Sequence, residues 1–252
     1  MIAKHLVRAA QALFAALAIA SVAPALAQPT HVMVRARSLD AKFIGTHTGG
    51  VSVVLTDAST GQVLAEGKIA GGTGDTPRIM QAPQERFGVI SDADTAGFDA
   101  ILNLTKPTLV KAEAKGPLGR PGSAITVSSM MWIIPGRDVL GDGWVLTFPG
   151  LAIEASVVRN SSGVARVTAN TTMMCGCPIT PGGLWDSNDF AVEAQVLDGD
   201  RIVARVTLGY AGTASQFAGD LPHIGTGHYT LRVVAISKKT PNTGVIEQPV
   251  DL

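Results

Sequence analysis

The chain has 252 residues, 46% of them hydrophobic, with 20 Lys and Arg against 20 Asp and Glu. This hydrophobic content is enough for a core, so it argues against a disordered chain. The balanced charge lacks the basic patch that nucleic-acid binding requires. We therefore expect a folded protein that does not bind nucleic acid, with room for one large or two small domains.

The first 27 residues have the layout of an export signal. Lys4 and Arg8 precede an uncharged Ala- and Leu-rich segment at 9–22, and Ala25-Leu26-Ala27 has the small-x-small pattern of a cleavage site. The segment is shorter and richer in Ala than a membrane-spanning helix of about 20 residues. We predict a cleaved signal peptide at 1–27, a periplasmic or secreted mature protein, and no integral membrane segment after cleavage.

The remaining sequence is typical of an all-β protein. Apolar residues alternate or form runs of about five, divided by clusters of Gly, Pro, Asn and Asp. The region at 71–84 is polar and rich in Gly, which predicts a long loop. Strands are predicted at 51–56, 62–65, 98–104, 108–114, 124–132, 143–148, 153–158, 164–170, 190–197, 201–208 and 229–237.

Turn residues suggest a boundary in the middle of the chain. Pro135-Gly136 and Pro149-Gly150 bracket a hairpin-like segment. We place the boundary near residue 150, which gives a β-sandwich domain at 28–150 and an immunoglobulin-like β-sandwich domain at 151–252. The alternative is a single larger sandwich.

Three runs in the first half carry a resemblance to a known fold: Gly50-Val51-Ser52-Val53-Val54-Leu55, Thr60-Gly61-Gln62-Val63-Leu64-Ala65 and Thr95-Ala96-Gly97-Phe98-Asp99-Ala100-Ile101-Leu102. Together they resemble carboxypeptidase-regulatory or transthyretin-like Greek-key domains, which are similar to immunoglobulin sandwiches. The resemblance implies a β-sandwich, and most such domains are non-catalytic modules. The stretch at 190–250 is similar in its strand spacing to the later strands of immunoglobulin-like domains.

Both cysteines of the chain lie in one segment, Met173-Met174-Cys175-Gly176-Cys177. A local disulfide is the first of three alternatives for this pair. In an extended strand the two Cα atoms would be ~6.6–7.2 Å apart, whereas disulfides need about 4.4–6.8 Å. A bridge therefore requires a bend, which Gly176 permits. Closing so short a loop stabilises the fold by only ~1.6 kcal/mol.

A soft-metal site is the second alternative. In an extended strand Met173, Cys175 and Cys177 project to the same side, while Met174 points into the core. Thiolate and thioether sulfur favour Cu(I), so copper is the expected metal if the segment binds one. His223 and His228 flank a later Gly-rich turn and would complete the site if the fold brings them close.

Thiol–disulfide chemistry is the third alternative. A reactive thiol needs positive charge nearby, yet no Lys, Arg or His lies between residues 170 and 190, where Asp186 and Asp189 are found. The segment therefore argues against redox catalysis unless distant residues supply the charge. Trp185 follows in an irregular Pro- and Gly-rich loop, where it either stacks on a sugar, a peptide or the sulfur site, or packs into its own domain.

No familiar catalytic motif is present, neither a nucleophile elbow, a His-Glu-x-x-His pair nor a phosphate loop. His47 is an isolated histidine, expected to be exposed in a loop.

We predict an exported, non-catalytic binding or accessory protein that binds copper through Met173, Cys175 and Cys177. The alternative is a module that binds a protein or polymer partner, with Cys-Gly-Cys as a local disulfide. An extracytoplasmic enzyme, of thiol–disulfide or other type, ranks third.

Overall fold

The computed structural model describes residues 26–159 and 163–252, and this part of the chain is all-β. Most of the predicted signal peptide lies outside the described residues. The strands in chain order are β1 (Gln28–Ser38), β2 (Val51–Asp57), β3 (Val63–Ile69), β4 (Phe98–Leu104), β5 (Thr108–Gly116), β6 (Ile125–Ile133), β7 (Val139–Phe148), β8 (Leu151–Arg159), β9 (Ala165–Met173), β10 (Phe190–Asp198), β11 (Arg201–Tyr210), β12 (Gln216–Asp220), β13 (His228–Ser237) and β14 (Thr243–Asp251). Single helical turns lie at Thr46–Thr48, Pro77–Gln81, Pro121–Ser123 and Ser187–Asp189.

Every segment predicted as a strand overlaps an observed strand, so the expectation of an all-β fold is confirmed. The sequence patterns did not identify β1, β12 and β14. The short β12 has only five residues, and β14 contains Gly244 and Pro249, which are unfavourable inside strands. Two arginines interrupt the apolar residues of β1, although its inward positions alternate regularly.

The first half of the chain forms two sheets. One has the order β4-β1-β7, with β1 antiparallel to β4 and parallel to β7. The other is antiparallel, with the order β3-β2-β5-β6. Inward side chains of both sheets belong to one hydrophobic cluster, so the sheets pack face to face as in a sandwich.

Alternation along each strand explains why these sheets stack. In β5, Val110, Ala112 and Ala114 are buried, whereas Glu113 is exposed and pairs with Lys111 on the outer face. Successive side chains of a strand point to opposite faces, so this period of two makes one apolar face and one polar face. Burial of the apolar face provides the free energy that holds the two sheets together.

The second half forms one seven-stranded antiparallel sheet in the order β14-β13-β10-β11-β12-β9-β8. Its two edge strands lie close to each other. The Gln248 side chain on β14 donates a hydrogen bond to the Ala155 carbonyl on β8 at 3.2 Å. Gly244 packs directly against the backbone of Leu151, where a side chain would not fit. The sheet therefore curls around its own apolar side chains.

Buried polar groups join the two halves. Among the described residues, strand pairs stay within β1–β7 or within β8–β14. Asn242, which is 0% exposed, donates from Nδ2 to the Leu39 carbonyl at 3.0 Å and accepts at Oδ1 from the Gly150 amide at 2.8 Å. Ser123 accepts at Oγ from the Ile153 amide at 2.8 Å. The halves are thus fixed relative to each other by directional bonds as well as by apolar packing.

We expect Asn242→Ala to lower the free energy of unfolding by about 2–3 kcal/mol, because a buried amide and a buried carbonyl then lack partners. Asn103→Ala on the exposed face of β4 is the matched control and should change it by less than about 0.5 kcal/mol. Urea unfolding followed by tryptophan fluorescence measures both. Equal effects of the two substitutions would show that Asn242 does not join the halves.

Candidate functional site

The cysteines lie in a tight turn at the end of β9. The Met173 amide donates to the Cys177 carbonyl at 3.2 Å, and the Gly176 amide donates to the Met173 carbonyl at 2.8 Å. Met174, Cys175 and Gly176 thus form a three-residue hairpin loop, with Gly176 at φ 79° in the left-handed region that this loop type requires. We call residues 173–177 the Cys-Gly-Cys turn.

A disulfide joins Cys175 to Cys177. Their Cα atoms are 5.4 Å apart, inside the range that disulfides adopt. The expectation of an extended segment is wrong beyond Met173, because the turn shortens the spacing that an extended strand would impose. The local disulfide is therefore the alternative that the structure adopts.

The two thioethers are buried, and at least one of them points away from the cysteines. Met173 and Met174 are each 1% exposed. The Met174 sulfur lies near Gly150, and Met174 lines a small, partly open crevice of about 120 Å³ between the halves. The rule that Met173 and both cysteines share one side of a strand does not apply in this turn.

The turn forms one wall of an open cleft of about 510 Å³ between the halves. We call it the cysteine cleft, and its lining residues are Lys42, His47, Gly71, Gly72, Thr73, Thr76, Cys175, Gly176, Cys177, Pro178 and Trp185. Two of these side chains are basic and none is a carboxylate. The lining is therefore basic in composition.

His47 is a cleft residue that the sequence patterns did not identify. It is exposed, as expected, yet its ring packs on the Cys-Gly-Cys turn. A Cβ atom added at Gly176 would lie 2.9 Å from His47 Cδ2 and 2.7 Å from Thr48 Cγ2. Glycine is thus required here both for its positive φ and for this close approach. No spacing in the sequence links His47 to the cysteines.

Hydrogen bonds, mostly between backbone groups, hold the wall of the cleft that lies opposite the Cys-Gly-Cys turn. The Thr46 amide donates to the Gly71 carbonyl at 2.9 Å, and the Gly71 amide donates to Thr46 Oγ1 at 3.0 Å. The Ala96 amide donates to the Gly72 carbonyl at 2.8 Å. Lys42 spans the cleft edge, where its ammonium donates to the Gly74 carbonyl at 3.2 Å. These bonds fix an otherwise irregular, Gly-rich segment.

Two charged side chains hold the long connection that forms this wall. The buried Arg35 guanidinium donates to the carbonyls of Thr95 and Ala96 at 2.5 and 2.7 Å, and burial lowers the pKa of Arg35. Asp142 accepts from the amides of Ser91 and Ile90. Burial acts to raise the pKa of Asp142, but these hydrogen bonds and Arg35 outweigh it and lower the pKa.

Trp185 connects the cleft to the first half. Its indole is 8% exposed, and Nε1 donates to the Asp40 carbonyl at 2.9 Å. The Trp185 carbonyl in turn accepts from the Thr180 amide at 3.0 Å. Most of the ring is thus used in joining the halves, and its role in binding a partner stays a prediction.

The two later histidines lie at the far end of the second half. His228 begins β13, whereas Ser237 at the other end of that strand pairs with Phe190, close in sequence to Trp185. Nine residue steps of about 3.3 Å place His228 roughly 30 Å away from that end. His223 lies beside the start of β9, near Leu221, whose amide bonds to the Ala165 carbonyl.

The predicted metal ligands therefore do not form one cluster. His223 and His228 are both separated from the cysteines by the length of a strand, and His228 pairs with Asp251 at 2.5 Å. In residues 26–159 and 163–252 no group of three or more His, Cys, Asp or Glu side chains is arranged to hold a metal ion. Copper binding by Met173, Cys175 and Cys177 stays a prediction.

Comparison with known proteins leaves the chain without an assigned family. No protein-family model matches it, and no curated protein is significantly similar to it in sequence. Within the described residues, no helix has the length and apolar character needed to cross a membrane. Function is therefore inferred from the residues of the cleft itself.

We expect Gly176→Ala to destabilise the protein more than Gly212→Ala. Both glycines have positive φ, 79° and 83°, so both alanine substitutions cost about 1–2 kcal/mol in backbone strain. Only at Gly176 does the new methyl group collide with His47 and Thr48, which adds about 1–3 kcal/mol, whereas nothing lies within 4 Å at Gly212. Thermal unfolding of the two variants measures the difference. Identical midpoints would mean that the turn does not pack against His47.

Proposed function

We propose that this protein is an exported, non-catalytic binding module whose partner, a protein or a polymer, occupies the cysteine cleft. The observation that carries the proposal is the composition of this cleft. Its walls come from loops and turns of the two halves, and a disulfide fixes the turn on one wall. A concave surface with prearranged walls binds with a small ordering cost, because its side chains lose little freedom.

The side chains of the cleft favour a partner with acidic groups. Lys42 and His47 line it, and no lining residue is a carboxylate. Complementary charge directs association and selects among partners. An acidic peptide segment or an anionic polymer fits this basic lining better than a basic ligand does.

We also propose that the mature chain consists of two β-sandwich domains of immunoglobulin-like or transthyretin-like type, at 28–150 and 151–252. In support, strand pairing changes partners between Phe148 and Leu151, so each half has its own hydrogen-bonded sheets. The connection between β7 and β8 is only two residues long. A connection this short keeps the halves close together, so the two walls of the cleft form one binding surface.

A photo-crosslinking amino acid in place of Thr76 tests the proposed surface. Thr76 lines the cysteine cleft, whereas Thr60 is exposed in the turn between β2 and β3. In the native exported compartment we expect a discrete crosslinked species from position 76 and none from position 60. Lys42→Met should reduce its yield several-fold, because Coulomb attraction to an acidic partner is lost. Equal crosslinking at both positions would contradict the proposal.

Copper binding is a second candidate, favoured by one observation. The sulfur atoms of Met173, Cys175 and Cys177 lie within a single five-residue turn, and both cysteines line an open cleft. Soft sulfur donors select Cu(I). The disulfide supplies no thiolate, so this function requires the reduced pair.

Anaerobic titration against a colorimetric Cu(I) chelator tests this candidate. We expect the reduced protein to bind one equivalent and the oxidised protein none, because thiolates are the strong ligands. Cys177→Ser should abolish binding, and Met173→Leu should weaken it more than Met130→Leu, whose side chain is exposed on β6. Unchanged affinity in Cys177→Ser would exclude the site.

A further inference from the structure

The structure shows which charged side chains lie near the cysteine pair. Asp186 and Asp189 are close to the cysteines in sequence, but neither lines the cysteine cleft. Asp189 pairs with Lys239 at 2.6 Å. Asp186 accepts hydrogen bonds from the backbone and side-chain nitrogens of Asn188 at 3.0 and 3.1 Å. These carboxylates are therefore engaged outside the cleft.

The basic side chains that the local sequence lacks come from the first half of the chain. His47 packs on Gly176, between the two cysteines, and Lys42 lines the same cleft. Positive groups near a disulfide attract an incoming thiolate and stabilise the thiolate that departs. The fold thus assembles the neighbourhood that a reactive disulfide needs from parts of the chain that are far apart in sequence.

The disulfide borders the cleft and is largely buried. Both cysteines line the open cleft, and Cys177 is 5% exposed against 1% for Cys175. Cys177 is thus the more exposed residue of the two, and an external thiolate would approach it from the cleft. Attack at its sulfur would leave Cys175 as the departing group.

Opening the disulfide leaves the turn connected. The hydrogen bonds from the Met173 amide to Cys177 and from the Gly176 amide to Met173 involve only the backbone. A three-residue loop also contributes little to stability through its crosslink. The reduced form is therefore expected to keep the native fold, so exchange does not require unfolding.

From this arrangement we propose that Cys175–Cys177 is a thiol–disulfide exchange site whose co-reactant is a dithiol, either a small molecule or a reducing protein. One thiolate of the dithiol forms a bond to the Cys177 sulfur, the Cys175–Cys177 bond breaks, and Cys175 leaves as a thiolate. The second thiolate of the dithiol then displaces Cys177. The dithiol ends as a disulfide, and the two cysteines take up two electrons and end as thiols after protonation.

The rate of reduction of the folded, oxidised protein by dithiothreitol tests the proposal. Released thiols are counted by alkylation and mass spectrometry, and circular dichroism confirms that the fold is retained. Lys42→Met should slow reduction about three- to tenfold through lost electrostatic attraction. Lys106→Met, at an exposed loop lysine far from the cleft residues in sequence, should leave the rate unchanged, and Lys42→Arg should restore it.

Single-cysteine variants identify the sulfur that is attacked. Cys175→Ser leaves Cys177 free and should form a mixed disulfide with oxidised glutathione several-fold faster than Cys177→Ser does. Equal rates for Lys42→Met and Lys106→Met would overturn the proposal, as would reduction that occurs only when the protein unfolds. Because partner binding is measured by crosslinking at Thr76, failure of either proposal is recognised separately.

Discussion

The buried amide of Asn242, in the second half of the molecule, makes two hydrogen bonds to the first half, and the cysteine cleft lies between the halves that it joins. Its oxygen accepts from Gly150, where the halves meet, and its nitrogen donates to Leu39. The next carbonyl along the chain, that of Asp40, accepts from the Trp185 indole. The carbonyls of Leu39 and Asp40 are adjacent in one turn of the first half, and they accept hydrogen bonds from two separate loops of the second half. Since no strand ladder crosses between the halves in the described residues, these side-chain bonds set the distance between the walls of the cleft.

The first-half wall is rigid for a different reason. The connection between β3 and β4 is long and mostly irregular, and such a segment stays ordered only when its backbone groups find partners. Arg35 supplies two of these bonds and Asp142 supplies others, from positions inside the three-stranded sheet. A buried guanidinium is costly unless it is hydrogen-bonded. Here the hydrogen bonds to the Thr95 and Ala96 carbonyls offset part of this cost, and they order the connection that also carries Gly71 and Gly72.

Oxidation of the cysteines connects the functional proposals. In the disulfide form the pair shapes the cleft, and Lys42 and His47 line it beside the partner that we propose. In the reduced form the same basic side chains would line a cleft that contains two thiols. A partner that fills the cleft covers the disulfide, so binding and thiol exchange exclude each other if both occur. The copper candidate needs the reduced form as well, and it therefore depends on the same exchange chemistry.

The local sequence indicated eleven of the fourteen strands in the described residues, because a period of two in apolar side chains depends only on neighbouring residues. It also indicated the disulfide as one alternative, since both cysteines and the glycine that bends the chain lie within three residues. Tertiary structure alone decided which other residues share the site. His47 packs on the Cys-Gly-Cys turn and Lys42 lines the same cleft because the two halves pack together, and no spacing along the chain encodes this arrangement. β9 begins beside His223 and ends at the Cys-Gly-Cys turn, and β13 begins at His228, so the length of a strand separates each histidine from the cleft.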